Sequence, residues 1–258
     1  MIRQVLIRSL LATMIFPLAA PAVDVQITGA VAAPGLKQLA GHARLSDAAL
    51  ASPLRDDAYP MGASWQRPSL QVEQSRLKAG LLFDLDSARL QALRDGREAL
   101  ADTLATLHDW LQPMPVTGRA VAVLDPRSVE VNAAENRPVG EGDTLFYPRR
   151  PSTIHVVGAV NQACVLTLVP LQNAQDYLDA CKPSPQADGD WIFVIQPDGR
   201  VFKQGAGLWN RAQPMPLAPG AVIYVPLRET GLHAVSPELN QELAAFLATQ
   251  PLAAEGDR

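Results

Sequence analysis

Few side chains in this sequence are placed to do chemistry. Four histidines, His42, His108, His155 and His233, are scattered without the spacing of a metal cage. Asp84-Leu85-Asp86 spells the DxD that metal-dependent sugar transferases use, but it falls inside a helical stretch and such triplets arise by chance. There is no GxSxG nucleophile elbow and no phosphate-cradling glycine loop. Two positions could hold a ligand. Arg119 closes PVTGR, and a guanidinium pairs bidentately with a carboxylate such as that of an acidic sugar. Trp65 and Tyr59, in YPMGASW, could stack on a sugar ring. Each also has a plainer reading, which we favour: Arg119 as a salt bridge anchoring a chain junction, the two aromatics as core. Arg149-Arg150, between Pro148 and Pro151, reads as a solvated linker. The expectation is no catalytic set, no metal and no cofactor.

Elements must hold these residues, and composition bounds what they can be. The 258 residues are 48% hydrophobic and 19% charged, so a packed core is expected. A net charge of −4 argues against a basic nucleic-acid face. With 22 prolines and 5% aromatics, short turn-punctuated strands fit better than a helical bundle. Arg3, Arg8, an apolar run from Leu10 to Ala20 and the small residues Ala20-Pro21-Ala22 read as a signal peptide cut after Ala22. That run is short of the roughly 20 residues that span a bilayer. The mature chain is expected to be exported, with no transmembrane segment. An oxidising compartment favours pairing of Cys164 with Cys181. About 13 Å of strand leads away from Cys164 and about 14 Å of helix returns to Cys181, so the two can meet. Two separate buried thiols are the alternative.

The chain repeats itself. DVQITGAVAAPGLKQL, from Asp24, returns as STIHVVGAVNQACVLTL, from Ser152, and EGDTLFYP, from Glu141, returns as PGAVIYVP, from Pro219. VLDPRSV, Val123 to Val129, matches IQPDGRV, Ile195 to Val201, as strand-turn-strand. Helices are expected at about Leu45 to Ser52 and Gln172 to Ala180. Each copy then reads strand, turn, strand, helix, strand, hairpin, closing strand, which is the β-grasp order. Gly29 to Val129 spans 100 positions and Gly158 to Val201 spans 43, so the first copy carries 57 extra residues, placed between its helix and its hairpin. Leu100, Leu104, Leu107 and Leu111 recur at helical spacing, Leu70, Leu77, Leu81 and Leu85 less cleanly, with a turn at Asp95-Gly96. This predicts an inserted helical hairpin at about 66–112, packed on itself or on the sheet. The second copy closes without it, so the β-grasp unit does not need it topologically. SPELNQELAAFLATQ, with Ser236 as N-cap and Pro237 first in the helix, predicts an amphipathic terminal helix folded back on the second copy. The expected fold is α+β, with a leader at 1–22, a first β-grasp domain at 23–149, a second at 150–230 and a helical tail at 231–258.

The ordered set of GAV openings, YPMGASW, the helical insert and PVTGR resembles the GfcC family of capsule and exopolysaccharide accessory proteins. The openings themselves resemble the SLBB (soluble ligand-binding β-grasp) module. The resemblance implies a periplasmic, non-catalytic protein that binds an outer-membrane polysaccharide exporter of the Wza type, the polysaccharide, or both. A polysaccharide-modifying enzyme with a site near Arg119 is the alternative. The second copy has Ala163-Cys164 where the first has Pro34-Gly35, so its turn must differ.

Overall fold

The computed structural model describes residues 22–229 and 236–253. The expected leader up to residue 21, and His233, lie outside them. Two five-stranded mixed sheets make an α+β fold. The first contains β1 (Ala22–Gly29), β2 (Gly35–Ala40), β3 (Ser64–Gln66), β4 (Arg119–Ala120) and β5 (Thr144–Tyr147) in the order β2-β1-β5-β3-β4. The second contains β6 (Thr153–Gly158), β7 (Cys164–Thr167), β8 (Trp191–Ile195), β9 (Val201–Gly205) and β10 (Val222–Val225) in the order β7-β6-β10-β8-β9. The orders are the same strand for strand, with one central parallel pair in each, β1 with β5 and β6 with β10. The helices are α1 (Leu45–Ala51), α2 (Pro68–Arg94), α3 (Glu98–Leu111), α4 (Pro126–Val131) and α5 (Leu239–Ala248). Among the described residues no helix is long and apolar enough to cross a membrane.

The repeated GAV has one physical cause in both copies. Gly29 and Gly158 take φ of +88° and +100° at the end of the first strand. A Cβ there would lie 2.1 Å from the Tyr147 carbonyl oxygen and 2.3 Å from that of Val225, so only glycine lets the closing strand approach. The alanine N–H that follows then donates to the same carbonyl, Ala30 to Tyr147 at 2.7 Å and Ala159 to Val225 at 2.8 Å.

Two expectations about the first copy need correction. The insert does not lie between helix and hairpin. It replaces the hairpin turn itself: residues 67–118 join β3 to β4, where residues 196–200 join β8 to β9. VLDPRSV is accordingly not a hairpin. Pro126 begins α4, with the Asp125 carboxylate accepting from Ser128 N–H at 2.9 Å as its N-cap. In the second copy the helix expected at 172–180 is a 3-10 turn over Ala174–Asp179 that buries only Ala174 and Tyr177.

The insert also packs where its leucine stripe could not reveal. Leu81, Leu85, Ala88 and Ala92 of α2 and Leu100, Leu104, Leu107 and Leu111 of α3 join the core of the second sheet, not of the first. The link is α5, which lies against both α2 and strands β8 and β9. Its buried residues, Leu239, Asn240, Leu243, Ala244, Phe246, Leu247 and Ala248, wrap about half of the helix circumference. A surface helix buries a narrower stripe. This one is covered from two sides.

Cys164 and Cys181 form a disulfide with a Cα–Cα distance of 6.0 Å. It ties the start of β7 to the end of the 3-10 turn. At the matching positions of the first copy stand Gly35 and Ser52, and there the buried Ser52 hydroxyl donates to the Ala33 carbonyl at 2.7 Å. The same point of the fold is therefore closed by a hydrogen bond in one module and a covalent bond in the other. Gly35 has φ of +124°, whereas Cys164 is not left-handed, so the two turns differ as expected. Reducing the disulfide is expected to lower stability by about 3 kcal/mol, the loop-closure value for this spacing. Thiol counting in denaturant without reductant should find none. Two free thiols, or unchanged urea unfolding after reduction, would contradict this.

Candidate functional site

Of the three residues singled out for ligand contact, Arg119 and Tyr59 come to the junction between the modules, and Trp65 goes to the core of the first sheet. Arg119 begins β4, is 6% exposed and spends its guanidinium on backbone carbonyls. Nη1 donates to Gln250 at 2.8 Å and Ala248 at 3.3 Å, and Nη2 to Ala63 at 3.2 Å and to Pro197. Ala63 precedes β3, Pro197 lies in the β8–β9 turn, and Ala248 ends α5. One side chain thus joins both sheets and caps the carbonyl end of the last helix, where the helix dipole favours a cation. Burial lowers its pKa to about 10, partly offset by Asp198, so it remains charged at neutral pH. With four terminal N–H groups committed, no bidentate fork is left for a ligand carboxylate. The anchoring role expected of Arg119 is met by carbonyls instead of a carboxylate. Its own backbone is fixed by Gln74 of α2, whose side chain donates to the Arg119 carbonyl at 2.9 Å and accepts from Gly118 N–H at 2.8 Å.

Trp65, in β3, is fully buried. Its indole N–H donates to Asp143 at 2.8 Å, and the Arg67 and Arg137 guanidinium carbons lie 4.2 and 4.9 Å from its ring centroid. Ring and donor are both occupied by protein, which leaves no face for a sugar. Asp143 also accepts from Gly140 N–H at 2.8 Å and stands 3.5 Å from Arg67 Nε. This buried acid was not singled out from the sequence. A signal existed, because the repeat aligns Asp143 with Ala221, and an acid facing a methyl in a closing turn marks a difference between the copies.

Tyr59 is 6% exposed, and its hydroxyl has no hydrogen-bond partner. Leaving such a group unmet costs about 1–3 kcal/mol. Burial pushes its pKa up to about 12, with smaller contributions from Arg150, which lowers it, and Asp198, which raises it. The Arg150 guanidinium lies 5.6 Å from the ring centroid. Arg149, beside it in the linker, pairs with Asp57 at 2.9 Å. The remaining candidates do not converge. Asp86 pairs with Arg89 and lies 3.8 Å from His108, His42 is exposed, and His155 lies on β6. Among the described residues no cluster of His, Cys, Asp or Glu is placed to hold a metal ion.

The whole arrangement has known relatives. Residues 19–150 match the family described as capsule biosynthesis GfcC, N-terminal, and residues 162–251 match capsule biosynthesis GfcC C-terminal. The chain is also 28% identical over 187 residues to the Escherichia coli (strain K12) protein named uncharacterized protein YjbG, covering 71% of this chain and 76% of that one. The two domain matches run in the order of the two sheets and take in Arg119, Trp65, Tyr59 and the disulfide. This protein belongs to the GfcC family of capsule biosynthesis proteins.

Proposed function

We propose that this protein is a periplasmic accessory factor of capsule or exopolysaccharide export, which binds an outer-membrane polysaccharide exporter or the polysaccharide and does not itself break or make glycan bonds. The observation that carries the reading is the pair of GfcC domain matches across both sheets. The disulfide supports an oxidising, extracytoplasmic location. The state of Arg119 argues against a catalytic role at that position, because a guanidinium committed to four carbonyls serves as a tie between modules.

Two measurements test this. Deleting the gene in the host should reduce surface polysaccharide, and the protein purified from periplasm should retain the exporter or the glycan. Incubated with the purified host polysaccharide, it should release no new reducing ends. Sustained turnover in that assay would replace the accessory reading with an enzymatic one.

A further inference from the structure

We propose that the cleft between the modules beneath Arg150 is a subsite for an uncharged, hydroxyl-rich sugar ring of a glycan chain, with the Tyr59 hydroxyl as its buried polar contact. The proposal deepens the accessory reading and rests on it for the class of ligand. The cleft has a volume of about 610 Å³, within the roughly 300–1,000 Å³ usual for ligand pockets. The first module contributes Tyr59, Pro60, Met61 and Asp125 to its walls, and the second contributes Arg150 and Asp198.

Three observations define what fits. First, Tyr59 is nine-tenths buried and its hydroxyl is unpartnered. Tyr59 lines this cleft together with Arg150 and Asp198, the two charges that bear on its hydroxyl. Arg150 is exposed, and its guanidinium lies over the ring. Second, carboxylates outnumber guanidiniums in the walls, Asp56, Asp57, Asp125 and Asp198 against Arg150 and Arg200, and most of them already have partners. Asp57 pairs with Arg55 and Arg149 at 3.1 and 2.9 Å, and Asp198 pairs with Arg200 at 2.9 Å. Asp125 accepts from Ser128 N–H at 2.9 Å and from its hydroxyl at 2.7 Å. Carboxylates already satisfied this way still have lone pairs for ligand hydroxyls but would repel a uronate or phosphate. Third, Pro60 and the half-exposed Met61 give an apolar patch beside the polar wall. A pyranose has this same division, with C–H groups on its face and hydroxyls on its rim. A wholly apolar ligand would strand the polar wall, and an anion would meet the aspartates.

The test titrates the purified chain with neutral trisaccharides of glucose, galactose and N-acetylglucosamine, and with a glucuronate oligomer, reading saturation-transfer NMR and calorimetry. At least one neutral probe should bind. Tyr59→Phe should weaken that binding about tenfold, the effect of one lost hydrogen bond to a buried group, without lowering the melting temperature. Arg150→Ala changes an exposed side chain and reads the same site should Tyr59→Phe fold poorly. No binding by any neutral probe, binding confined to the glucuronate oligomer, or equal affinity in both variants and the parent would overturn the proposal. A chain that supports capsule export but binds no sugar loses the subsite and keeps the accessory role. One that binds a neutral probe through Tyr59, but whose deletion leaves surface polysaccharide unchanged, keeps the subsite and loses that role.

Discussion

Replacing Ser69 to Gln112 with a short Gly/Ser linker is expected to abolish cooperative folding of the second module, although the linker removes residues of the first. By topology alone the change is mild, since a hairpin closes perfectly well through five residues in the other copy. Packing decides the other way. The α2–α3 pair forms one core with the second sheet through α5. Stripping it away leaves α5 with one covered side, and its apolar residues wrap about half of the helix. Exposing even three side chains of the size of Leu243, Phe246 and Leu247 costs about 4–9 kcal/mol, against a net stability of roughly 5–15 kcal/mol for a whole domain. Circular dichroism melting and gel filtration should show a broad, non-cooperative transition and self-association. A sharp transition retained by the second module would mean that the hairpin merely rests on its surface.

Arg119→Ala is expected to lower stability by about 3–5 kcal/mol, the scale on which removal of one partner strands a buried polar network. For a chain of this length that is a fall in melting temperature on the order of 10 °C. The change frees carbonyls of Ala63, Pro197, Ala248 and Gln250 at once, on three segments that otherwise have separate supports. Arg119→Lys should recover only part of the loss, because a single ammonium cannot span the two Nη positions. Urea unfolding of the three proteins measures the effect. An Arg119→Ala protein as stable as the parent, but defective in capsule export, would return Arg119 to the role of a ligand contact.

What could be read in advance follows from how local each signal is. The duplication, the disulfide, the terminal helix and the existence of a helical insert rest on short-range patterns, and all are present. The position of the insert does not. β3 has three residues and β4 two, too short to show alternation, so sequence patterning places their hairpin at VLDPRSV instead. Asp125-Pro126 in that stretch is a helix-start signal that the flanking valines masked. The leucine stripe shows that a face is buried but not against what. α5 as the shared neighbour of insert and second sheet depends on contacts with α2 between residues more than a hundred positions apart. The candidate site divides in the same manner. Arg119, Trp65 and Tyr59 stood out by type, but their partners, mostly backbone carbonyls and one buried acid, carry no residue-type signature.

The shared core also bears on the order in which this chain can fold. The leucines of α2 and α3 precede the whole second sheet in the sequence, yet the element that covers them, α5, ends at Ala248. The first sheet cannot be completed early either, because β5 must enter between β1 and β3 after the insert has passed. A molecule built this way does not fold unit by unit in chain order. Its apolar hairpin stays uncovered until α5 has been made, the situation in which long-range closure is slow and unpaired apolar surface is most exposed to chaperones and to aggregation.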